Sequence, residues 1–484
     1  MEKEILFSLR QATPRIYGMD PIPPIEWSVL RGEQWCIIGP NGSGKTLLAD
    51  FIAGKHATRS GTIQYGFQGE RFPTDRIRKV CFESAYSLAD YRSMYYQQRF
   101  HAMENEGTPT VRELILREGK DPEHTKQLCD KLNIHPLMEK RLIMLSSGEL
   151  RRVLITLYLA KKPELIIFDN PFIGLDARTR KELDDFLLSL SKQQSMLFIV
   201  PAPDEIPQAA THILTAKQLR YTVLGERTKL TPQALEEIFP AYEQTSAENL
   251  PASPIVTDDR YDYVLKMKDI HLDYAGKIVF DKLNWTVRKG EKWALLGPNG
   301  SGKSTLLSLL AADNPHAYSQ DITLFDRKRG TGESIWDIKR HIGYISSEMH
   351  LYFQGDQTCG KIVASGLFDT IGLFRQCTER EYKLSQEWME LFGIGHLKER
   401  SYTSLSGGEQ RLTLLARTMV KNPDLLILDE PLHGLDARHK RHALNIIERF
   451  CEQPGKTLIY VTHLKDEMPP CIEHIMELKV PPQA

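Results

Sequence analysis

The stretch that decides the fold is GPNGSGKT at residues 39–46, which returns almost unchanged as GPNGSGKS at residues 297–304. The repeat extends well beyond this stretch. When residues 145–178 are aligned with residues 405–438, 17 of the 34 positions are identical. A duplication of this size is far longer than the repeat of a solenoid or a propeller. The two halves of the chain are therefore copies of one domain.

Each glycine-rich stretch lies between a predicted strand and a predicted helix. Apolar runs of strand length end at Ile38 and Leu296, and helices are predicted from Leu47 and Leu306. Further strands are predicted at residues 165–168, 197–200, 425–428 and 458–461. Because these runs do not alternate with polar residues, we expect strands buried on both faces. The predicted fold class is α/β, with a largely parallel sheet and flanking helices in each copy.

The 484 residues divide by this repeat into a first domain at residues 1–224, a linker at 225–260 and a second domain at 261–484. The linker carries seven acidic and three basic residues and a predicted short helix at residues 235–239. Its prolines are Pro232, Pro240, Pro251 and Pro254. Proline interrupts helices, so one long helical rod is not expected.

The composition is that of a globular protein without a membrane span of its own. The formal net charge is −1, so no global positive field draws the chain to nucleic acid or to an anionic membrane. No apolar run reaches about eighteen residues. The N-terminus does not resemble a secretory signal, and the seven cysteines form no Cys-x-x-Cys pair. We expect a cytoplasmic protein that reaches a membrane only through a partner.

The repeated loops match Gly-x-x-x-x-Gly-Lys-[Ser/Thr], a pattern that binds the phosphates of a nucleotide. Its glycines let backbone N–H groups face phosphate oxygens, and the following helix presents its positive N-terminal end. The lysines are expected to reach the β and γ phosphates. The expected nucleotide-binding residues are Gly39, Asn41, Gly42, Gly44, Lys45 and Thr46 in the first loop and Gly297, Asn299, Gly300, Gly302, Lys303, Ser304 and Thr305 in the second.

A magnesium ion is expected to accompany each nucleotide. The hydroxyl groups of Thr46 and Ser304 are predicted metal ligands. Asp169 and Asp429 close apolar strands, where a carboxylate can hold magnesium through water.

The two copies differ at the residue that follows this aspartate. Glu430 follows Asp429, and a second carboxylate there can act as general base toward the attacking water. Asn170 occupies that position in the first copy. An amide can hydrogen-bond water but cannot take its proton, so the first site is expected to hold nucleotide and to hydrolyse it poorly.

Together these motifs resemble the ATP-binding cassette (ABC) ATPases, duplicated in one chain. The family signature Leu-Ser-Gly-Gly-Gln is present as LSSGE at residues 145–149 and as LSGGE at residues 405–409. The resemblance covers nearly everything outside the linker. It implies two P-loop cassette domains, each with a helical subdomain, that bind ATP and Mg²⁺ and hydrolyse ATP to ADP and phosphate.

The resemblance also implies that each ATP is held by the phosphate loop of one copy and the signature of the other. The signature residues expected to contact ATP are Ser146, Gly148, Ser406 and Gly408. The family's switch histidine matches His463, whereas Ala202 is aligned with it in the first copy. Glu430, His463 and Lys303 are the expected catalytic residues, so turnover is assigned mainly to the second site.

Two further positions follow from the family pattern. Tyr17 and Tyr274 lie where the family places an aromatic residue that stacks on adenine, with core packing as the alternative. The family's glutamine-loop residue, which couples the site to a membrane partner, is missing after the third strand of both copies. This absence counts against transport coupling of the ordinary kind.

Three functions remain open from the sequence. The first is an ATPase resembling the tandem type associated with molybdenum transport, with a membrane permease subunit or another protein as partner. The second is a tandem-cassette translation factor that binds ribosomes. The acidic linker argues against it, because ribosome binding depends on neutralising phosphate charge. The third is the energising subunit of a sugar or vitamin importer.

Overall fold

The structure is a computed structural model, and it forms two compact units. The residues that it describes are 4–16, 22–67, 72–81, 109–119, 121–142, 145, 147–239, 250–251, 260–274, 277–311, 313–346, 349–353 and 355–479. The described part of the first unit ends at residue 239, and that of the second begins at residue 250.

The first unit contains nine strands and seven helices among the described residues. In chain order they are β1 (Ile5–Pro14), β2 (Ile25–Leu30), β3 (Trp35–Ile38), α1 (Lys45–Ile52), β4 (Thr58–Tyr65), α2 (Pro73–Arg76), β5 (Ile77–Cys81), α3 (Val111–Glu118), α4 (Pro122–Lys131), α5 (Ser147–Leu159), β6 (Leu165–Asp169), α6 (Ala177–Leu190), β7 (Ser195–Val200), β8 (His212–Lys217), β9 (Arg220–Glu226) and α7 (Pro232–Ile238).

The main sheet of the first unit has the order β5-β6-β7-β3-β8-β9, and only β9 runs antiparallel to its neighbour. A smaller antiparallel sheet has the order β2-β1-β4. Strand β6 shows why its apolar run does not alternate. Ile166 and Phe168 pack with the helices α3 to α6 on one face, whereas Leu165 and Ile167 pack with α1 and the small sheet on the other.

The second unit repeats this plan. Its elements are β10 (Tyr263–Tyr274), β11 (Lys277–Arg288), β12 (Lys292–Leu296), α8 (Lys303–Leu310), β13 (Asp321–Leu324), β14 (Arg327–Lys328), α9 (Ile335–Lys339), β15 (Ile342–Ile345), α10 (Cys359–Ser365), α11 (Glu379–Leu391), α12 (Gly407–Met419), β16 (Leu425–Asp429), α13 (Ala437–Glu452), β17 (Thr457–Val461) and β18 (His474–Glu477).

The main sheet of the second unit is parallel, with the order β15-β16-β17-β12-β18. An antiparallel sheet has the order β11-β10-β13-β14. The helices α10, α11 and α12 pack around the buried Trp388 and Met389 as a helical subdomain. The predicted fold class is therefore confirmed, because both units are α/β with mainly parallel central sheets.

Two tryptophans in each unit belong to the core. The rings of Trp27 and Trp35 meet edge to face at 5.2 Å between centroids, and those of Trp285 and Trp293 meet in the same way at 5.8 Å. Such pairs stabilise beyond the area they bury. These repeated residues hold each antiparallel sheet against its parallel sheet.

Residues 225–239 of the expected linker pack with the first unit, whereas Leu250 packs against the core of the second. Strand β9 continues to Glu226, and the short helix predicted at residues 235–239 is present as α7. Leu230, Leu235 and Phe239 pack against the helical face of the first core. The domain boundaries as a whole stay a prediction.

The described residues contain neither a membrane-spanning helix nor a cluster of metal-binding side chains. No helix there is long and apolar enough to cross a membrane. No group of three or more histidine, cysteine, aspartate or glutamate side chains in those same residues is placed to hold a metal ion by itself.

Candidate functional site

The first phosphate loop joins β3 to α1. Gly44 directly precedes α1 and has φ 95°, a left-handed backbone conformation that favours glycine. A Cβ atom at Gly39 would lie 2.1 Å from the carbonyl oxygen of Ala216, so no larger residue fits there. The glycines thus permit the tight turn that leaves the N-terminal end of α1 facing the loop. This is the backbone arrangement that binds phosphate.

The second loop joins β12 to α8 with the same local geometry. Gly302 precedes α8 with φ 92°. A Cβ atom at Gly297 would lie 2.7 Å from the carbonyl oxygen of Leu478. Both loops lead into helices of eight residues. The N–H groups in the first turn of a helix have no partner within the helix and can bind an anion.

The two lysines of the loops take the same position. Nζ of Lys45 donates hydrogen bonds to the carbonyl oxygens of Gly39 and Pro40, at 2.7 and 2.8 Å. Nζ of Lys303 donates to the matching carbonyl oxygens of its own loop at 2.6 and 3.0 Å. Each ammonium group therefore lies over the phosphate loop, where it can neutralise phosphate charge.

The predicted magnesium ligands are a hydroxyl and a carboxylate in each copy. Oγ1 of Thr46 donates a hydrogen bond to Oδ2 of Asp169 at 3.2 Å, so these two groups meet at the end of β6. In the second copy Ser304 is exposed at the start of α8, and Asp429 ends β16 with 5% of its surface exposed. Hydroxyl and carboxylate oxygens are ligands that magnesium prefers. The donor sets of both copies fit this ion.

Glu430 lies between two histidines in the second unit. Nδ1 of His463 is 3.1 Å from Oε1 of Glu430, and Nδ1 of His433 is 3.4 Å from Oε2. Burial alone raises the pKa of Glu430, but the hydrogen bond with His463 and the charges of His433 and Lys303 outweigh it and hold this pKa well below its ordinary value. Burial alone lowers the pKa of His463, whereas Glu430 raises it, and the net pKa is raised. The pair is therefore held in its charged form.

Sequence reasoning missed His433. It lies within the repeated segment Asp-x-Pro-x-x-Gly-Leu-Asp, at a position where the first copy has Ile173. That difference between the copies was the available signal. Its contact with Glu430 shows that the second copy has two histidines near the expected base, and the first copy has neither.

Arg411 is a second residue that sequence reasoning missed. Its buried guanidinium donates to the carbonyl oxygens of Asp429 and Glu430, both at 2.7 Å, and of Pro431 at 3.0 Å. It also donates to the carbonyl oxygen of Ser346 at the end of β15, at 2.8 Å. One side chain thus fixes the backbone that carries the metal ligand and the base.

Asn170 has the backbone placement of Glu430. The two residues have φ values of 51° and 49°. The backbone N–H of Asn170 donates to the carbonyl oxygen of Ile199, and that of Glu430 donates to Val461, both at 2.9 Å. The backbone at this position is therefore the same in the two copies, and the side chains differ as amide and carboxylate.

The strand register corrects one detail of the sequence alignment. Asp169 pairs with Ile199, and Asp429 pairs with Val461, so Ile199 and Val461 are equivalent. This places Pro201 at the position of His463, one residue before the Ala202 that the sequence suggested. The sequence after β7 contains no repeated motif that would align it with the residues after β17. The hydrogen-bonded pairing of the strands fixes this alignment. The histidine is absent from the first copy under either alignment.

The second signature begins a helix. Ser406 is the N-cap of α12 and forms a capping box with Glu409. The Glu409 carboxylate accepts hydrogen bonds from the N–H and the hydroxyl of Ser406, both at 2.8 Å. Glu409, at the position where the family has glutamine, thus stabilises the N-terminal end of α12. Gly408, the next expected contact, is buried in its first turn.

The first signature begins α5. Gly148 lies in its first turn, where a Cβ atom would be 2.7 Å from Cγ2 of Thr179 on α6. Ser146 lies outside the described residues. The structure describes each signature within its own unit, so the expected pairing with the opposite phosphate loop stays a prediction.

The structure does not describe the side chain of either residue that is expected to stack on adenine. Tyr17 lies outside the described residues. Tyr274 is the last residue of β10, and the placement of its side chain is not part of the description. Their role stays a prediction.

The chain is similar in sequence to known ATP-binding proteins. The profile of the ABC transporter family matches residues 22–173 and 280–433. The chain is 35% identical over 475 residues to the ABC transporter ATP-binding protein ModF of Escherichia coli (strain K12), covering 96% of this chain and 95% of that protein. It is 29% identical over 465 residues to an uncharacterized ABC transporter ATP-binding protein of Schizosaccharomyces pombe, covering 93% and 92%.

Solved structures show the same fold. The chain resembles a structure described as RNase-L Inhibitor with a TM-score of 0.52 and 19% identity, covering 97% of this chain and 87% of that one. It resembles the complex of archaeal ribosomal stalk protein aP1 and archaeal ribosome recycling factor aABCE1 with a TM-score of 0.51 and 19% identity, covering 96% and 87%. At this identity the likeness shows that the architecture is shared.

Proposed function

Because the chain belongs to the ABC transporter family of ATP-binding proteins, as a tandem ATPase with two cassettes, we propose that it binds ATP at both phosphate loops and hydrolyses it mainly at the second. The observation that carries this proposal is the pair Asn170 and Glu430. Their backbones are placed alike, so the difference in chemistry rests on the side chain alone.

The proposed chemistry of the second site uses four side chains of this unit. Lys303 neutralises the β and γ phosphates, and Glu430 accepts the proton of the attacking water. Ser304 and Asp429 would hold magnesium, which would supply further neutralising charge when bound. General-base catalysis of this kind contributes roughly 10²–10⁴-fold to a rate.

The contact of His463 with Glu430 suggests how this base is restrained. A carboxylate that is stabilised in its charged form is a weak proton acceptor. We propose that His463 turns from Glu430 to the γ phosphate when ATP is bound, which raises the basicity of Glu430 at that moment. ATP binding then precedes the activation of the base.

For the biological role we propose a transport-associated ATPase that works with a membrane permease. The support is the name of the Escherichia coli relative, which matches this chain over nearly its whole length. The second candidate is a ribosome-associated ATPase. The likeness to an archaeal ribosome recycling factor favours it in fold, while the net acidic residues 225–260 oppose it.

The hydrolysis proposal is tested with the matched variants Glu430→Gln and Asn170→Gln in the full chain. We expect Glu430→Gln to reduce steady-state ATP hydrolysis by roughly 10²-fold or more, and Asn170→Gln to leave it within about twofold. Near-normal turnover in Glu430→Gln would show that the second site is not the main site of ATP hydrolysis.

The role is tested with the same Glu430→Gln chain loaded with ATP in cell extract. Recovery with a membrane-embedded permease supports the transport role. Recovery with ribosomes, in an association that weakens steeply as salt is raised, supports the alternative instead.

A further inference from the structure

A lysine of the first unit lies beside the predicted magnesium ligand. Nζ of Lys79, on β5, is 2.7 Å from Oδ1 of Asp50 and 3.9 Å from Oδ2 of Asp169. Thr46 and Asp50 are four residues apart on α1 and so share one face of the helix. The Lys79 side chain is 11% exposed and that of Asp169 is 7% exposed. Nζ of Lys55 also lies 3.1 Å from Oδ1 of Asp50, so two lysines face one carboxylate. A net positive charge therefore lies beside the place where magnesium is expected.

The second unit has a different pair at these positions. Lys79 pairs with Ile167 in β6, and Tyr344 pairs with the equivalent Ile427 in β16, so Tyr344 replaces Lys79. Ser308 replaces Asp50, since each is the fifth residue after its loop lysine. Oγ of Ser308 donates to the carbonyl oxygen of Thr305 at 2.6 Å. The lysine and aspartate pair belongs to the first copy alone.

The charges around Asp169 support an interaction with Lys79. Nζ of Lys79 is 3.9 Å from the Asp169 carboxylate, close enough for direct electrostatic attraction. A cation near a phosphate site lowers the need for another cation, and it repels a divalent ion through Coulomb's law. Because the Lys79 and Asp169 side chains are largely buried, salt screens this repulsion only weakly.

We infer that Lys79 supplies part of the charge that magnesium would otherwise provide, so that the first site holds ATP without magnesium while the second site requires it. The inference rests on the proposed function, in which both phosphate loops bind ATP.

The test counts ATP bound per chain by equilibrium dialysis with radiolabelled ATP, in magnesium and in EDTA. The full chain carries Glu430→Gln so that ATP stays intact. We expect two ATP per chain in magnesium and one in EDTA. The ATP retained in EDTA should be lost with Lys45→Ala and kept with Lys303→Ala, which assigns it to the first site.

The lysine itself is tested by Lys79→Met, with Lys79→Arg as the variant that keeps the charge. We expect Lys79→Met to weaken binding in EDTA at least tenfold and Lys79→Arg to retain it. Tyr344→Phe is the matched control in the second unit and should change neither count.

A folding defect is separated from loss of charge by a second variant. Asp50→Ser combined with Lys79→Tyr installs the pair of the second copy and leaves no uncompensated carboxylate at residue 50. With Mn²⁺ as a spectroscopic probe and ATP present, we expect one tightly bound metal ion per chain in the parent and two in this variant.

Three outcomes would overturn the inference. They are loss of both nucleotides in EDTA, retention of the EDTA-resistant ATP in Lys79→Met, and two tightly bound Mn²⁺ ions in the parent chain. By contrast, an unchanged count of two ATP in magnesium for Lys45→Ala would overturn the proposed function, because the first loop would then not be an ATP site.

Discussion

Nδ1 of His463 lies 3.1 Å from Oε1 of Glu430, and the two side chains are only 11% and 13% exposed. The contact is a buried ion pair between the expected base and the expected switch residue. Each group shifts the pKa of the other toward the charged form. Removing one partner leaves the other charge buried and uncompensated, which is costly.

The first prediction concerns the charge of His463. Its raised pKa depends on Glu430, whereas burial alone lowers it. In Glu430→Gln we therefore expect the His463 pKa to fall below the ordinary 6.5, from above that value in the parent chain. Histidine ring resonances followed by NMR during a pH titration measure this, with His463→Gln used to assign the signal. An unchanged pKa would contradict the ion pair.

The same ion pair makes the free energy of unfolding depend on pH in a defined direction. The raised pKa of His463 contributes stability below about pH 6.5 that is lost as the pH rises through the folded value. The lowered pKa of Glu430 contributes stability above about pH 4.5 that is lost as the pH falls through the folded value. The loss of stability in His463→Gln should therefore be larger at pH 5.5 than at pH 9, as measured by denaturant unfolding.

The second prediction is a gain of hydrolysis at the first site. Asn170 has the backbone placement of Glu430, so Asn170→Glu supplies a carboxylate where the base is expected. In a Glu430→Gln chain that also carries Asp50→Ser and Lys79→Tyr, so that magnesium can enter the first site, we expect Asn170→Glu to raise ATP hydrolysis about tenfold or more. The gain stays below parent activity because Pro201 replaces the histidine. Asn170→Gln has the same length without the charge, and equal activity in both variants would contradict the assignment.

The third prediction separates two roles of Ser406. It caps α12 in a capping box with Glu409, and Thr378 caps α11 in the same way with Glu381. Replacing either cap with alanine should lower the free energy of unfolding by about 1 kcal/mol. Only Ser406→Ala should also weaken ATP binding at the first phosphate loop, because the second signature is expected to complete that site and Thr378 is not part of the signature. Equal ATP affinity in the two variants, measured by dialysis in a Lys303→Ala chain, would limit Ser406 to helix capping.

Much of the fold was predictable because the decisive motifs occur twice. The strands before Gly39 and Gly297 and those ending at Asp169 and Asp429 form as predicted, since continuous apolar runs bury both faces of a parallel sheet. Asn170 also stood out in the sequence, because its repeat position holds a carboxylate.

The rest depends on contacts between distant segments. Lys79 reaches Asp169 only because β5 pairs with β6, and Arg411 reaches Glu430 only because α12 packs behind β16. The alignment of Pro201, instead of Ala202, with His463 could be recognised only from the pairing of β6 with β7. Sequence periodicity predicts that these elements exist, but not which strands become neighbours.

The fourth prediction concerns a support that holds the first phosphate loop. The hydroxyl of Tyr221, on β9, donates to the carbonyl oxygen of Gly44 at 2.9 Å, at the N-terminal end of α1. The hydroxyl of Tyr65 donates to the carbonyl oxygen of Ile52 at 2.8 Å, at the other end of the same helix. Each bond is expected to stabilise the first unit by about 1 kcal/mol.

Because Gly44 sets the shape of the loop, Tyr221→Phe should weaken ATP binding at the first site several-fold as well as lower stability. Tyr65→Phe should lower stability to a similar extent and leave ATP binding unchanged. The two variants lose the same chemical group, so binding measured by dialysis in a Lys303→Ala chain separates loop positioning from general stability. Equal ATP affinity in the two variants would show that β9 only completes the sheet, since the loop would then keep its shape without the Tyr221 hydroxyl.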